Sequence, residues 1–357
     1  MMTRFITRRN LVGAASPLVL LAALTAGCQS PSSTGSTGSV GAASPGASAG
    51  ATTGKTLKIA VIPKGTTHEY WKAIHAGAVK AQQELKAQGT NIDVQWKGPV
   101  REDDRNGQID VVETFVQQQV DGIVIAPLDA DAMVRPVEEA IAQKVPVVII
   151  DSALKSDKPL SYVATDNEKG GEIGAAQLGK VLGPQKRVLL LRYQQGSAST
   201  EAREEGFLKG IKAVAGATVV SSDQYSGATV DQAFKSAQNL LNRYGHQIDG
   251  VFASNETATR GMLLALKDAG LAGKVKLVGF DYSADLIAGM KAGQIQGLVL
   301  QDPFKMGYLG VKTVVDSING KKVEKKIDTG VTLGTPENME TKEIKDLLVP
   351  PVDQYLK

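Results

Sequence analysis

The chain predicts an α/β protein of two similar, doubly wound (Rossmann-like) lobes. Three observations carry the expectation. Short β-branched runs alternate with helix-length segments from Thr56 onward, one block of that alternation recurs in the second half, and the body is long enough for two cores. About 300 residues follow the leader, which suits two lobes each with its own interior.

The leader comes first. Arg4, Arg8 and Arg9 form a positive start, followed by an uncharged apolar run over 11–26 that Pro17 interrupts. That run is short for a membrane span and reads as a signal peptide. It ends in Leu24-Thr25-Ala26-Gly27-Cys28, which looks like a bacterial lipobox with Cys28 as the lipidated residue. Thr7-Arg8-Arg9-Asn10-Leu11 also resembles a twin-arginine signal, so the export route stays open. Residues 29–55 are, apart from Gln29, Val40 and Lys55, all Ser, Gly, Thr, Ala and Pro, and predict a flexible tether. Such a tether reaches roughly 25–30 Å at about 5–6 Å × √n.

In the body, strands are expected over 57–62, 122–127, 145–151, 188–193, 250–254, 275–281 and 298–301. Each is nearly all apolar, as parallel strands covered on both faces require. Helices are expected over 70–88, 109–119, 167–182, 232–244 and 258–269, giving βαβ units. The repeat then becomes visible. Asp121-Gly122-Ile123-Val124-Ile125-Ala126 leads through a helix to a strand closed by Asp151, and Asp249-Gly250-Val251-Phe252-Ala253-Ser254 leads likewise to Asp281. In an open parallel sheet ligands sit beyond the carboxyl ends of the strands, so both aspartates are expected to face one crevice. A helix cap is the plainer use of either Asp taken alone.

Composition narrows the function. Cys28 is the only cysteine, which leaves no thiolate chemistry or disulfide within the body. Lys and Arg interleave with Asp and Glu at a net charge of +3, without the basic stripe of a nucleic-acid binder. No Gly-x4-Gly-Lys loop, nucleophile elbow or metal cluster is present, and the three histidines, His68, His75 and His246, lack ligand spacing. The reading is therefore a binding protein without catalysis, cofactor or metal. A repressor of the same fold would need a DNA-binding helix-turn-helix where the export signal stands.

The residues resemble the ribose-binding group of periplasmic binding proteins from Thr56 to the end, which implies the type I periplasmic binding protein fold, its two lobes joined by three hinge crossovers. Lys58-Ile59-Ala60-Val61-Ile62-Pro63 with His68-Glu69-Tyr70-Trp71 is similar to the family's first strand and aromatic pair. Thr165-Asp166-Asn167 looks like the first crossover, and Gly206-Phe207 preceded by Arg203 like a helix start in the second lobe. The resemblance implies a sugar site of His68, Tyr70, Trp71, Asp151, Ser152, Thr200, Glu201, Asn255, Asp281 and Gln301. It also implies hinges at Thr165, Asp166, Asp302 and Gly330, an N-terminal lobe of 56–165 plus 302–330, and a C-terminal lobe of 166–301 plus 331–357. Ser152 and Glu201 stand where the ribose binders carry arginines, so the likeness conveys a class of ligand and not its name.

The chemistry agrees with that class. Carboxylates at Asp151 and Asp281 accept strong hydrogen bonds from hydroxyls, and the amides of Asn255 and Gln301 suit a hydroxyl in either role. Tyr70 and Trp71 can cover the C–H face of a ring. Plainer readings remain: Asn255 as a helix cap, Thr200 and Glu201 as a capping pair, Tyr70 and Trp71 as core. The function expected is capture of a monosaccharide or polyol for an ABC transporter permease. The expected protein is a lipid-anchored monomer of the periplasm or cell surface, with signalling through a chemoreceptor or sensor kinase as the alternative.

Overall fold

The computed structural model describes residues 55–184 and 186–357. The leader, Cys28 and the tether up to residue 54 lie outside the described residues. The strands are β1 Leu57–Ile62, β2 Ile92–Trp96, β3 Gly122–Ile125, β4 Val147–Ile150, β5 Ser161–Ala164, β6 Lys186–Leu191, β7 Ala217–Ser221, β8 Gly250–Ala253, β9 Lys276–Phe280, β10 Gly297–Leu300, β11 Lys326–Asp328 and β12 Thr332–Gly334. The helices are α1 Glu69–Ala87, α2 Arg105–Gln117, α3 Val134–Ala142, α4 Asn167–Val181, α5 Ala198–Lys212, α6 Val230–Tyr244, α7 Glu256–Asp268, α8 Ala284–Lys291, α9 Pro303–Ile318, α10 Lys342–Leu348 and α11 Val352–Tyr355.

Two six-stranded sheets result, ordered β11-β5-β4-β3-β1-β2 and β12-β10-β9-β8-β6-β7. The orders are the same under exchange of halves, which is the repeat seen in the sequence. Every pairing is parallel except β10 with β12. The central strands are apolar throughout because helices cover both faces: β3, β4, β8 and β10 are buried at every position. In each sheet the order reverses beside β1 or β6, and there the carboxyl ends open a crevice.

Helices start where short polar side chains satisfy free backbone N–H groups. Asp166 accepts from Lys169 N at 3.1 Å, and Asp302 from Lys305 N at 2.8 Å with Pro303 opening α9. Glycines let helices touch. A Cβ on Gly77 would lie 1.9 Å from the Phe304 carbonyl oxygen, and one on Gly171 would lie 2.0 Å from that of Arg203. The helix pairs α1–α9 and α4–α5 therefore pack backbone to backbone over their sheets.

The structure departs from expectation in three places. The short or half-exposed strands β2, β5, β7, β11 and β12 carry too little apolar signal to stand out from loops. Helix α5 begins at Ala198, well before Arg203, so Arg203 and Gly206 lie inside it. The chain end assigned to the second lobe returns to the first: α11 packs on α1, with Tyr355 5.5 Å from Phe304 between ring centroids.

The α1–α9 contact is directly testable. Gly77→Ala should destabilise the protein by more than about 2 kcal/mol, because a methyl group meets a rigid carbonyl. Gly183→Ala, with nothing within 4 Å of the added carbon, should stay within about 0.5 kcal/mol; denaturant unfolding measures both.

Candidate functional site

Both repeat aspartates leave their strands in the left-handed region, Asp151 at φ 63° and Asp281 at φ 65°. That conformation strains any residue with a Cβ, though Asp tolerates it better than most. The turn swings each carboxylate into the cleft, where the two are 3% and 6% exposed. Two strained, buried acids at equivalent strand ends are costly features that caps alone would not require.

The first lobe supplies Lys64, His68, Tyr70, Trp71, Glu102 and Asp151 to the cleft wall. The second lobe supplies Tyr193, Ser199, Thr200, Arg203, Asn255, Glu256 and Asp281, with Gln301 at the crossover. Eight expected residues are thus brought together: His68, Tyr70, Trp71, Asp151, Thr200, Asn255, Asp281 and Gln301. Ser152 and Glu201 are not on the wall. Ser152 Oγ accepts from Ser199 N at 3.1 Å, at the first turn of α5, and Glu201 Oε1 accepts from Gly196 N at 2.8 Å, in the loop before it. Of the residues expected at the hinge, Thr165 and Gly330 meet: Thr165 Oγ1 donates to the Gly330 carbonyl at 2.9 Å, and Gly330 has φ 93°.

Six wall residues were not expected. Lys64, Glu102, Ser199, Glu256 and Tyr193 have sequence settings that any loop or helix start shares, and Arg203 was read only as a helix start. The one local hint is Lys64, a cation immediately past an apolar strand and four residues before His68.

Hydrogen bonds define what the wall offers. Tyr70 Oη donates to Asp151 Oδ1 at 2.7 Å and Gln301 Nε2 to Asp281 Oδ1 at 2.7 Å. Gln301 Oε1 is buried without a partner, an acceptor aimed at a donor from outside. Asn255 caps α7 through Oδ1, 3.0 Å from Ala258 N, so the cap reading and the wall position hold together and Nδ2 stays free. The Arg203 guanidinium lies 3.9 Å from the Phe280 ring centroid and 3.6 Å from Asp281 Oδ2. Tyr70 and Trp71 meet edge to face at 5.1 Å.

The lobes are closed on each other. Glu102 Oε1 accepts from Trp71 Nε1 and Oε2 from Tyr193 Oη, both at 2.8 Å, the second across the cleft. His68 Nε2 lies 2.8 Å from Glu256 Oε2 and 2.9 Å from Thr257 Oγ1 of the other lobe. Between these side chains about 30 Å³ remains for the centres of water-sized groups, room for about two waters. A sugar ring therefore needs the lobes to part before it can enter. A larger groove of about 710 Å³ lies beside the crossovers, lined by Phe304, Val331, Leu347 and Val349 with Asp302, Glu343 and Asp346 among its polar residues.

Ionisation is shaped by burial. Desolvation pushes the Asp281 carboxyl up to about 6; Arg203 and Gln301 oppose this, while the Asp151 and Glu256 carboxylates reinforce it. Burial alone would lower His68, but Glu256, Glu102 and Asp281 outweigh it and raise the imidazole to about 9. Burial and nearby carboxylates also push the Tyr70 and Tyr193 phenols up, so both stay donors. Among the described residues no His, Cys, Asp and Glu cluster could hold a metal ion.

Two lobes meeting over a cleft lined with hydroxyl-binding side chains define a small-molecule binding protein. The description of the periplasmic binding protein domain matches residues 59–322, and the chain belongs to that family. It is 34% identical over 238 residues to a ribose import binding protein of Bacillus subtilis, spanning 66% of this chain and 75% of that one. Among solved structures it superposes on a carbohydrate transporter solute-binding protein of Agrobacterium radiobacter in complex with D-arabinose. There the TM-score is 0.77 and the identity 36%, covering 82% of this chain and 99% of that one. An ABC transporter solute-binding protein of Agrobacterium vitis with bound D-fucose gives 0.77 at 34% identity, covering 82% and 100%. Members of the family are binding proteins and not enzymes, and membership implies a position outside the cytoplasm.

The imidazole is the sharpest test of this electrostatic picture. A histidine raised from 6.5 to about 9 contributes stability that is fully present below pH 6.5 and lost as pH rises through 9. NMR titration should show His68 with a midpoint near 9, moving toward 6.5 in Glu256→Gln. A midpoint near 6.5 in the unaltered protein would contradict the cross-cleft pair.

Proposed function

We propose that the protein captures a neutral monosaccharide or a related polyol between its lobes and delivers it to the permease of an ABC importer. The matched pair Asp151 and Asp281 carries this reading. Each is a buried acceptor at an equivalent strand end, and the ring of amides and hydroxyls around them complements a molecule covered in hydroxyl groups. Buried hydroxyl readers also discriminate, since an analogue lacking one hydroxyl strands its partner at a cost of about 1–3 kcal/mol.

In this reading His68, Tyr70, Trp71, Asp151, Thr200, Asn255, Asp281 and Gln301 face the ligand, while Ser152 and Glu201 hold the first turn of α5 and the loop before it. The lobes turn about Thr165–Asp166, Gln301–Asp302 and Gly330, and the ligand shifts the population toward the closed form by touching both sides. The protein works as a monomer tethered through lipid on Cys28. Cys28→Ser should then move it from the detergent phase to the aqueous phase, and continued membrane partition would remove the anchor from the account.

The decisive test is a thermal-shift panel of pentoses, hexoses, polyols, nucleosides and amino acids. A cognate sugar at 100 times its Kd should stabilise the fold by about 2.7 kcal/mol. Asp281→Ala should weaken that sugar about 100-fold or more by calorimetry, through loss of charge-assisted bonds worth about 1.5–3 kcal/mol each. Stabilisation by an amino acid or nucleoside alone would keep the fold and overturn the sugar reading.

A further inference from the structure

Lys64 lies two residues past β1 and is only 3% exposed, a degree of burial lysine accepts only when paired. Its ammonium sits 3.3 Å from Asp151 Oδ2, 3.3 Å from Ser197 Oγ and 3.2 Å from Ser199 Oγ. Two of its three donors are spent on the serine hydroxyls, and the charge is paired with Asp151. The second lobe repeats the plan with different residues. Asp281 takes Gln301 on Oδ1 at 2.7 Å and has Arg203 3.6 Å from Oδ2, as Asp151 takes Tyr70 on Oδ1 at 2.7 Å and Lys64 beside Oδ2. Each half of the cleft thus holds a left-handed aspartate, a donor on one oxygen and a cation beside the other.

Charge follows from that plan. A buried carboxylate without its cation is strongly destabilising, and it would draw any ammonium that reached the cleft. Arg203 reaches Asp281 from within the same lobe, whereas Lys64 joins the lobes: Asp151 is on its own side, and Ser197 and Ser199 precede and open α5 on the other. Closure therefore completes the shell around the ammonium.

We propose that Lys64 is a positioning and specificity-determining residue that acts through Asp151. It fixes the carboxylate and cancels its charge, so the first half of the cleft accepts an uncharged hydroxylated ligand and turns away one bearing an ammonium. The ligand preference rests on the sugar reading above; the coupling of Lys64 to Asp151 does not.

The coupling is tested without ligand by thermal unfolding of Lys64→Met, Asp151→Asn and the double variant. Lys64→Met should lower Tm by on the order of 5–10 °C, and adding Asp151→Asn should recover at least half of that loss. Lys64→Arg should stay within about 2 °C of the parent. An unchanged Lys64→Met, a double variant as unstable as the sum of the singles, or a loss of folding that Asp151→Asn does not rescue would each overturn the proposal. For specificity, the neutral sugars of the panel are compared with D-glucosamine, D-galactosamine and D-mannosamine. Lys64→Met should shift the affinity ratio at least tenfold toward the amino sugars, and an unmoved ratio sinks the specificity claim. If no sugar binds the parent protein, the sugar reading fails while the unfolding cycle still decides the role of Lys64.

Discussion

Two buried aspartates, held left-handed at the ends of β4 and β9, constrain everything around them. A carboxylate removed from water is tolerated only with partners, and each aspartate has two: a neutral donor on one oxygen and a cation beside the other. Those partners come from the ends of β1 and β10 and from α1 and α5, so satisfying two acids dictates what stands at the mouths of several elements. The strain of the left-handed turns is carried by β4, buried throughout, and β9, buried at all but its first residue, each paired on both sides. A rigid scaffold holding a strained polar site is the usual division of labour in a binding protein.

Asp281, facing Asp151 and Glu256 as well as Arg203, is pushed up to about 6, because burial penalises its charge. Its ionised form at neutral pH is thus a stored cost, and a hydroxyl that donates to it would relieve that cost. The two halves of the cleft share a plan inherited from the repeat, a donor on one carboxylate oxygen and a cation beside the other.

Closure draws on the same groups. The side-chain contacts that cross the cleft are polar, among them Glu102 with Tyr193, His68 with Glu256 and Thr257, Lys64 with Ser197 and Ser199, Ser152 with Ser199 N, and Gln194 with the Glu102 carbonyl. Water can replace each one when the lobes part, so in the proposed closure the open and closed forms can lie close in free energy. The proposed hinge is compatible with that motion. Thr165 and Gly330 meet side by side, while Asp166 and Asp302 cap the helices that leave the crossovers, so rotation there need not disturb the helix starts. Helix α11, reaching back to α1 from the second lobe's final segment, adds a link between the lobes that the three crossovers alone would not provide.

The sequence by itself determined the parts that depend on periodicity and repetition. Long apolar runs bounded by turns announced the seven central strands, and the Asp-Gly and closing-Asp pattern announced two like sheets with Asp151 and Asp281 at one crevice. Weaker elements such as β5 and β12 were not legible, because three or four residues carry no period. Only the tertiary structure decided which side chains share the cleft. Glu102 and Tyr193 are 91 residues apart and meet through a hydrogen bond; nothing local marks either. Glu256 reads locally as an acid at a helix start, and only the opposite lobe shows that it faces His68. Ser152 and Glu201, adjacent in sequence to real wall positions, turn away because their oxygens satisfy backbone N–H groups of the first turn of α5 and the loop before it. The sequence pattern reports which face a residue lies on. Which partner satisfies its charge or its hydrogen bonds depends on chain segments brought together by folding.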